Sequence, residues 1–418
     1  MSKINDLITE LCPNGVEYKK VWEVTTWDKK YNSVDKSMQP DIKKYNYLLA
    51  NQLNEIVDPD GDVLILETGI NGEKKYTNID LAGDNLCDAE IIAIPWGGTP
   101  NVKYYKGKFV TGDNRIAISN DTELLDTKFL YYIFENRINE IADFYRGSGI
   151  KHPEMKKILL MNIPIPPLAV QKEIVRILDK FGELEAELEA ELEARKSQYE
   201  FWREKLFELD DCEWKTTEEL FDTITDYVAN GSFKSIADNV SYKNEKDYAV
   251  LLRTVDYSNG YDSNKFIYID EHAYNFLAKS KLFGGEIIIN NIGAGVGTTF
   301  LCPDLGIPMS LAPNTIMMRT PNNKYYYYWF NSKRGQESIE SVTAKSAMPK
   351  FNKTGFRKLL VPVPTLEKQN KIVETLDKFE KLISDITVGL PAEIELRRKQ
   401  YEYYRNKLLS FEELSVSE

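Results

Sequence analysis

The chain has 418 residues, of which 42 % are hydrophobic and 28 % charged, and its formal net charge is -12. It has no apolar run near twenty residues and no signal-peptide pattern behind Met1, which together predict a cytoplasmic protein without membrane contact. Four scattered cysteines and two histidines predict no disulfide framework, no zinc site and no histidine-based active site.

Residues 1–160 are predicted to form a small mixed α/β domain, because short β-rich runs alternate with Gly, Asn and Pro punctuation. Within it, residues 90–92 (Glu-Ile-Ile) predict a strand that ends in a turn. Asn114 begins an alternating strand-like run, and residues 131–132 (Tyr-Tyr) open a helix-like segment.

Residues 161–209 predict one long helix, entered through alternating Ile and Pro and interrupted only by a tolerable glycine, Gly182. At 1.5 Å per residue this helix is about 60 Å long. A Glu-rich tract at residues 183–193 carries much of the negative charge, so the total charge does not exclude a positive surface elsewhere. The helix has a narrow apolar stripe formed by Ile174, Leu178, Phe181, Leu184, Leu188 and Leu192.

Residues 210–360 repeat the organisation of the first domain, and residues 361–412 repeat the helix. The corresponding positions in the domains are residues 90–92 and 286–288, Asn114 and Asn314, and residues 131–132 and 326–327. In the helices, a constant separation of 198 residues joins Gln171 with Gln369, Ile174 with Ile372, Leu178 with Leu376, Asp179 with Asp377, and Phe181 with Phe379. This pattern indicates an internal duplication with pseudo-two-fold symmetry.

The two helical regions are expected to lie on each other as an antiparallel pair, because both apolar stripes are narrow and heptad-like. The alternative is two surface helices packed on separate domains. In the second region, Gly389 and Pro391 predict a kink or break. The order domain, helix, domain, helix also predicts that the end of the second helix returns to the start of the first domain.

The sequence patterns required for catalysis or cofactor binding are missing. A methyltransferase that acts on amino groups needs an Asn/Asp-Pro-Pro-Tyr/Phe loop, and the chain has none. Gly293, Gly295 and Gly297 have the wrong spacing for a dinucleotide loop and predict a hairpin or tight turn. Residues 58–62 lack the glycine and glutamate that a calcium loop needs. We therefore predict no enzyme activity, no metal and no cofactor.

Two basic loops, at residues 146–157 and 345–358, precede the two helical regions and favour contact with double-stranded DNA. A solvated charged loop is about equally plausible for either one alone, but the same cluster at equivalent positions favours DNA. The candidate DNA-binding residues are Arg146, Ser148, Lys151 and His152 in basic loop 1, Lys345, Ser346 and Lys350 in basic loop 2, and Thr343 just before basic loop 2.

The turns after the Glu-Ile-Ile strands are a second candidate surface, because Asn, Thr and Arg can read base edges. The same residue types are also ordinary turn formers. The candidates are Trp96, Thr99, Lys103, Asn114 and Arg115 in the first domain and Asn291, Thr298, Thr299 and Asn314 in the second.

The repeated segments PLAVQKEIVRILDKF and TLEKQNKIVETLDKF, each preceded by alternating Pro, make the chain resemble the specificity subunit of type I restriction-modification enzymes. The resemblance implies two target-recognition domains, each reading one half of a split DNA site, with the helices as spacer. It also implies docking on methyltransferase subunits, expected to number two, which in turn recruit the restriction subunit. The helix residues expected to bind these partners are Tyr199, Trp202, Arg203, Tyr401, Tyr404 and Arg405.

A protein-binding adaptor without DNA specificity is the alternative function. It is compatible with two helices of coiled-coil character and with the acidic isoelectric point of about 5.1.

Overall fold

The computed structural model describes residues 2–69, 73–209, 211–384 and 389–414. Its contacts divide the chain into two compact units. Unit 1 consists of Met1–Leu188 and Ile394–Glu418, and unit 2 consists of Glu189–Glu393. Each unit therefore combines one predicted domain with parts of both helical regions.

The N-terminal half of the chain ends with the longest helix. Its helices are α1 (Ser2–Leu11), α2 (Val21–Val24), α3 (Ala50–Glu55), α4 (Ile79–Ala82), α5 (Thr127–Asn136), α6 (Ile138–Ala142), α7 (Met155–Leu159) and α8 (Leu168–Leu206). Its strands are β1 (Glu17–Lys20), β2 (Thr25–Trp27), β3 (Val63–Leu66), β4 (Lys75–Thr77), β5 (Cys87–Pro95), β6 (Lys103–Thr111), β7 (Asn114–Ser119), β8 (Tyr145–Arg146), β9 (His152–Pro153) and β10 (Asn162–Ile165).

The C-terminal half contains shorter elements. Its helices are α9 (Thr217–Leu220), α10 (Phe233–Asn239), α11 (Thr254–Ser258), α12 (Glu271–Phe276), α13 (Asn323–Asn331), α14 (Lys333–Val342), α15 (Lys353–Arg357), α16 (Leu366–Ser384) and α17 (Leu390–Leu408). Its strands are β11 (Glu213–Thr216), β12 (Thr223–Asp226), β13 (Ala249–Leu252), β14 (Tyr268–Ile269), β15 (Lys281–Leu282), β16 (Ile287–Asn290), β17 (Thr299–Leu301), β18 (Met309–Leu311), β19 (Thr315–Arg319) and β20 (Leu360–Val363). Short 3-10 turns occur at Lys36–Met38, Gly83–Asn85, Tyr227–Asn230, Ser263–Lys265 and Ala278–Ser280.

Unit 1 is built on a six-stranded sheet in the order β2-β7-β5-β6-β3-β4. Strand β5 lies inside this sheet, and its side chains alternate between two cores, as the period of two in a strand requires. Ile92 and Ile94 belong to the core that also contains Phe129 of α5, whereas Ile91 and Ala93 belong to a core on the other face. All four of these strand residues are fully buried, so both faces of the strand are covered.

Unit 2 replaces the single sheet with two four-stranded sheets, in the orders β12-β19-β16-β17 and β14-β13-β18-β15. Strand β16 alternates in the same manner as β5. Ile287 and Ile289 pack in the core that contains residues of α13 and α16, and Ile288 packs in the core that contains residues of β13 and β18. The mixed α/β class and the position of the Glu-Ile-Ile strands are thus as the sequence predicts.

A two-stranded ribbon recurs in both units with one register. In unit 1, β1 pairs with β10 so that Tyr18 lies opposite Pro164. In unit 2, β11 pairs with β20 so that Trp214 lies opposite Pro362. The shared register confirms the internal duplication.

Helix α8 spans 39 residues without a break and passes through Gly182, which confirms the predicted long helix. In the second helical region, α16 spans Leu366–Ser384 and α17 spans Leu390–Leu408, and Gly389 lies in a bend just before α17. This agrees with the break predicted at Gly389 and Pro391; residues 385–388 lie outside the described part of the chain.

Within unit 1, α8 and α17 run antiparallel. The ring of Phe181 lies 5.5 Å from that of Tyr404, and Arg398 donates to Glu185 at 2.5 Å. The residue that comes later in α8 therefore contacts the residue that comes earlier in α17. The segment after α17 also returns to the first domain, as predicted. Val16 donates a backbone hydrogen bond to Glu412 at 2.9 Å.

The structure corrects the pairing of the tyrosines by one residue. Tyr132 donates to Asp179 at 2.5 Å, and Tyr328 donates to Asp377 at 2.7 Å. Tyr132 therefore corresponds to Tyr328, and not to Tyr327 as the sequence alignment predicted. The tyrosines also lie within their helices and do not open them, because Asp126 and Asn322 cap α5 and α13 several residues earlier.

Candidate nucleic-acid interface

Basic loop 1 begins as a small hairpin. Strands β8 and β9 pair with Arg146 opposite His152, and residues 147–151 form the turn between them. Gly147 has a φ of 139°, and a Cβ at this position would lie 2.7 Å from the carbonyl oxygen of Ile150. Glycine is therefore required for the turn that presents Ser148 and Lys151 to solvent.

Basic loop 1 is fastened to the turn that follows strand β5. The backbone N–H of Gly98 donates to the carbonyl oxygen of Lys151 at 3.1 Å. Nδ1 of His152 lies 2.7 Å from the carbonyl oxygen of Trp96, and the two rings are 5.2 Å apart. Since a carbonyl oxygen only accepts, Nδ1 carries the proton and Nε2 of the neutral ring remains an acceptor. The two surfaces predicted separately in the first domain are one surface.

Trp96 also contacts two cations. The guanidinium carbon of Arg115 lies 4.7 Å from the ring centre of Trp96, and Nζ of Lys29 lies 5.0 Å from it. Arg115 is 2 % exposed and is held by Asp28 at 2.8 Å and by Asp113. Arg115 therefore supports this turn from the interior of the domain. This corrects the prediction that its side chain is exposed for contact with DNA.

Two other predicted residues of the first domain are held by the backbone around strand β3. Asn114 is 3 % exposed and donates to the carbonyl oxygen of Leu66 at 3.0 Å. The prediction that its side chain lies on the DNA-binding surface is therefore also wrong. Nζ of Lys103 donates to the carbonyl oxygen of Glu67, and burial lowers the pKa of Lys103 to about 8. Thr99, by contrast, is exposed beside basic loop 1.

Basic loop 2 is fastened in the same way as basic loop 1. The backbone N–H of Gly293, which follows strand β16, donates to the carbonyl oxygen of Pro349 at 2.9 Å. Ala344 donates to the carbonyl oxygen of Lys350 at 2.8 Å and closes the loop. Pro349 stands 198 residues after Lys151, so both halves use the same backbone contact.

Asn291 is a structural anchor of basic loop 2. Its backbone carbonyl accepts from the N–H of Phe351 at 3.1 Å, and its side-chain amide donates to the carbonyl oxygen of Phe351 at 3.1 Å. The side-chain oxygen of Asn291 is buried and has no hydrogen-bond partner within the described chain.

The remaining predicted residues of the second domain divide by exposure. Thr299 is 2 % exposed and donates to the carbonyl oxygen of Gly297, so it does not lie on the surface as expected. Thr343 is half-buried and donates to the carbonyl oxygen of Ile339 at 2.8 Å. The exposed members are Thr298, Asn314, Lys345, Ser346 and Lys350.

The charges of the loops are only partly neutralised within the chain. Glu154 accepts from Lys157 at 2.6 Å and pairs with Arg146 at 3.3 Å; the hydrogen bond from Lys157 holds the pKa of this exposed carboxyl below its usual value. Among the residues that the structure describes, Lys151 and Lys350 have no carboxylate within 4.0 Å. These cations are available for phosphate.

Unit 2 also has an open cavity of about 550 Å³ beside Asn291, which the sequence did not predict. Asn314 lines it, together with aromatic residues from a distant segment. Phe233 is 84 % exposed and Tyr242 is 55 % exposed. Since Phe233 and Tyr242 precede Asn291 by 58 and 49 positions, no local pattern links them to it.

Most of the predicted partner-binding residues make contacts within their own unit. Tyr401 donates to Glu135 at 2.7 Å, Arg405 donates to Asn136 at 3.2 Å, and Tyr404 stacks on Phe181. In unit 2, Tyr199 packs near Phe379, and Arg203 lies over the ring of Tyr199. Burial raises the pKa of Tyr199 to about 12.

Trp202 is the most open of the predicted partner-binding residues. It is 43 % exposed, and the adjacent Phe201, which no sequence pattern singled out, is 61 % exposed. Their rings contact each other edge to face at 5.5 Å.

The described residues contain no group of three or more His, Cys, Asp or Glu placed to hold a metal ion. In the same part of the chain, no helix combines the length and apolar character needed to cross a bilayer.

Comparison with known proteins shows which family the chain matches. Residues 13–194 and 223–396 match the family described as type I restriction modification DNA specificity domain. The type I restriction enzyme EcoR124I/EcoR124II specificity subunit of Escherichia coli is 35 % identical over 325 residues, which cover 71 % of this chain and 74 % of that protein. A putative type I restriction enzyme specificity subunit of Haemophilus influenzae is 29 % identical over 78 % of this chain and 83 % of that protein.

Solved structures show the same fold. The crystal structure of the type I restriction-modification S subunit from M. genitalium superposes with a TM-score of 0.55, covering 94 % of this chain and 96 % of that one. A chain from a structural study of type I complex assembly superposes with a TM-score of 0.52. Sequence identities of 16 % and 13 % mean that these likenesses concern the fold alone.

Proposed function

We propose here how this chain reads DNA. The premise is that the chain belongs to the type I restriction-modification DNA specificity family. As a DNA sequence-specificity subunit, it binds DNA and assembles with other subunits of the system. Our proposal is that each unit reads one half of a bipartite duplex site, through the surface formed by its basic loop and the turn after its central strand.

One observation carries this proposal. Gly98 in unit 1 and Gly293 in unit 2 hold the two basic loops by the same backbone hydrogen bond, to Lys151 and Pro349 respectively. Both loops thereby present cations beside an exposed polar turn. A protein that reads two DNA segments needs this combination in duplicate, because phosphate contacts fix the register and neighbouring side chains read the bases.

The proposed contacts fall into two classes. Arg146, Lys151, Lys345 and Lys350 would bind phosphates. His152 would read a base through its free Nε2, which can accept a hydrogen bond from an exocyclic amino group in the major groove. The further candidates for base contact are Thr99, Ser148, Thr298, Asn314 and Ser346.

The helical regions supply the other half of the proposal. Helix α8 is long enough to act as a ruler that sets the number of unread base pairs between the half-sites. Phe201 and Trp202 on α8 are the exposed aromatic pair that we propose for docking of a methyltransferase subunit. With one methyltransferase subunit for each of the two helical regions, the complex would hold two methyltransferase subunits, which recruit the restriction subunits and carry the catalysis.

Footprinting with hydroxyl radicals on the complex with its methyltransferase tests the bipartite contact. We expect two protected stretches separated by an unprotected gap of constant length. A single continuous footprint would contradict the proposal. Absence of any DNA retention at low salt would favour the adaptor function, which family membership does not support.

A further inference from the structure

The tips of the two basic loops carry exposed apolar side chains. Ile150 is 70 % exposed and Met348 is 63 % exposed. They stand 198 residues apart, at equivalent positions of the duplication. Single exposed apolar residues are common on protein surfaces and need no explanation. An apolar residue at the same place in both halves, within loops otherwise rich in charge, does need one.

Both tips are held in place by backbone contacts. In unit 1 the side chain of Ile150 also lies close to Gly97, since a Cβ at Gly97 would lie 2.8 Å from its Cγ2. In unit 1, the tight turn at Gly147 and the hydrogen bond from Gly98 to Lys151 fix the chain on either side of Ile150. In unit 2, Ser346 donates to the carbonyl oxygen of Met348 at 2.6 Å, and Gly293 donates to Pro349. The tips therefore keep apolar surface in water at a fixed place, although each unit has an apolar core in which such a side chain could be buried.

The neighbours of each tip indicate what covers it. Lys151 follows Ile150, and Lys345 and Lys350 flank Met348. A strongly basic rim excludes a basic or purely apolar partner and suits the phosphates that border a DNA groove. The base edges inside a groove offer apolar surface, chiefly the thymine methyl group, and apolar side chains also enter between base steps.

We propose that Ile150 and Met348 enter a groove of duplex DNA and bury their side chains against the bases, while the flanking lysines bind phosphates on either side. The inference rests on the proposed function, because it assigns a contact within the same DNA-binding surface. The proposed contact adds an apolar contribution, which does not depend on charge, to the free energy of binding at each half-site.

The test separates apolar from ionic contributions by salt dependence. The complex of the full chain with its methyltransferase is titrated with a duplex that contains the sequence motif methylated by the complex. The titration is repeated over a series of salt concentrations. Ile150→Ala and Met348→Ala should each weaken binding by about tenfold, as expected for loss of a buried aliphatic contact. The slope of log affinity against log salt should stay the same, since no phosphate contact is lost.

Matched controls exist in the chain. Ile79 is 44 % exposed and Leu366 is 63 % exposed, and both lie outside the basic loops. Ile79→Ala and Leu366→Ala should bind as the wild type does. Thermal unfolding of all four variants should match that of the wild type, because the substituted side chains are exposed.

Three results would overturn the inference. If the wild-type complex binds the duplex and both tip variants bind equally well, the inference fails and the proposed function stands. A tip variant that lowers the salt slope, as loss of a cation does, would assign the effect to phosphate contacts instead. If the wild-type complex does not bind the duplex at all, the inference fails together with the proposed function.

Discussion

Gln171 accepts a hydrogen bond from the backbone N–H of Asp126 at 2.9 Å and so ties the start of α8 to the residue that caps α5. Its amide nitrogen donates to the carbonyl oxygens of Leu124 and Pro166 at 2.8 and 2.7 Å. The side chain is fully buried. All its hydrogen-bonding groups are engaged in joining a helical region to its domain.

The same arrangement occurs 198 residues later. Gln369 donates to the carbonyl oxygen of Pro364 at 3.0 Å and accepts from the side chain of Asn322, the capping residue of α13, at 3.1 Å. The glutamines recur in the sequence because each one fastens a helix to a domain.

Gln171→Ala should lower the free energy of unfolding by about 1–3 kcal/mol, because it removes the partner of a partly buried backbone N–H and of two carbonyl oxygens, of which the one on Pro166 is buried. Chemical denaturation of the isolated chain measures this. Gln198→Ala is the control, since Gln198 is exposed on the same helix and should change stability by less than about 0.5 kcal/mol. Equal stability of the two variants would show that the Gln171 network contributes nothing.

Arg115→Met should be strongly destabilising, because it leaves the buried carboxylate of Asp28 and the partly exposed carboxylate of Asp113 without their cation. Loss of one partner of a buried ion pair costs about 3–5 kcal/mol. The exposed Arg146→Met should leave the unfolding transition unchanged. If Arg115→Met instead unfolds like the wild type, its assignment as a structural residue is wrong.

The outcomes for these residues show what the sequence could predict. The duplication, the long helix and the Glu-Ile-Ile strands could be predicted because periodicity and spacing are properties of the sequence itself. Exposure could not: Asn114, Arg115 and Thr299 have residue types suited to reading bases, yet their burial depends on contacts with distant residues such as Leu66 and Asp28. The joining of each basic loop to its turn is likewise a contact across more than fifty residues.

Lys151→Ala and Lys350→Ala should each reduce the slope of log DNA affinity against log salt by about 1, because each removes one phosphate contact. The complex with the methyltransferase is used for the titration. Lys196→Ala is the matched control, since Lys196 pairs with Glu193 on α8 and lies outside the basic loops. Unchanged slopes in both loop variants would remove these lysines from the interface.

The pKa of Lys103 should be about 8, whereas the pKa of the exposed Lys106 on the same strand should be raised above its usual value because Lys106 donates to Glu90. Burial lowers the pKa of Lys103, so between pH 8 and its unfolded value of about 10.5 the unfolded chain binds more protons than the folded one. The free energy of unfolding of the wild type, measured relative to that of Lys103→Met, should therefore rise with pH between about pH 8 and 10.5. Titration of lysine side-chain resonances by NMR checks the pKa, and a midpoint for Lys103 near 10.5 would contradict it.

The central claim is that each unit reads its own half of a split site. The most direct measurement is sequencing of methylated bases in the genome of cells that co-express the methyltransferase with the wild-type chain, His152→Ala or Thr298→Ala, since these two residues are proposed base contacts of different units. For the wild type we predict a methylated motif of two short halves with a fixed gap. Each variant should change the bases of one half only, and the two variants should change different halves. A continuous motif, or a variant that alters both halves together, would contradict the claim.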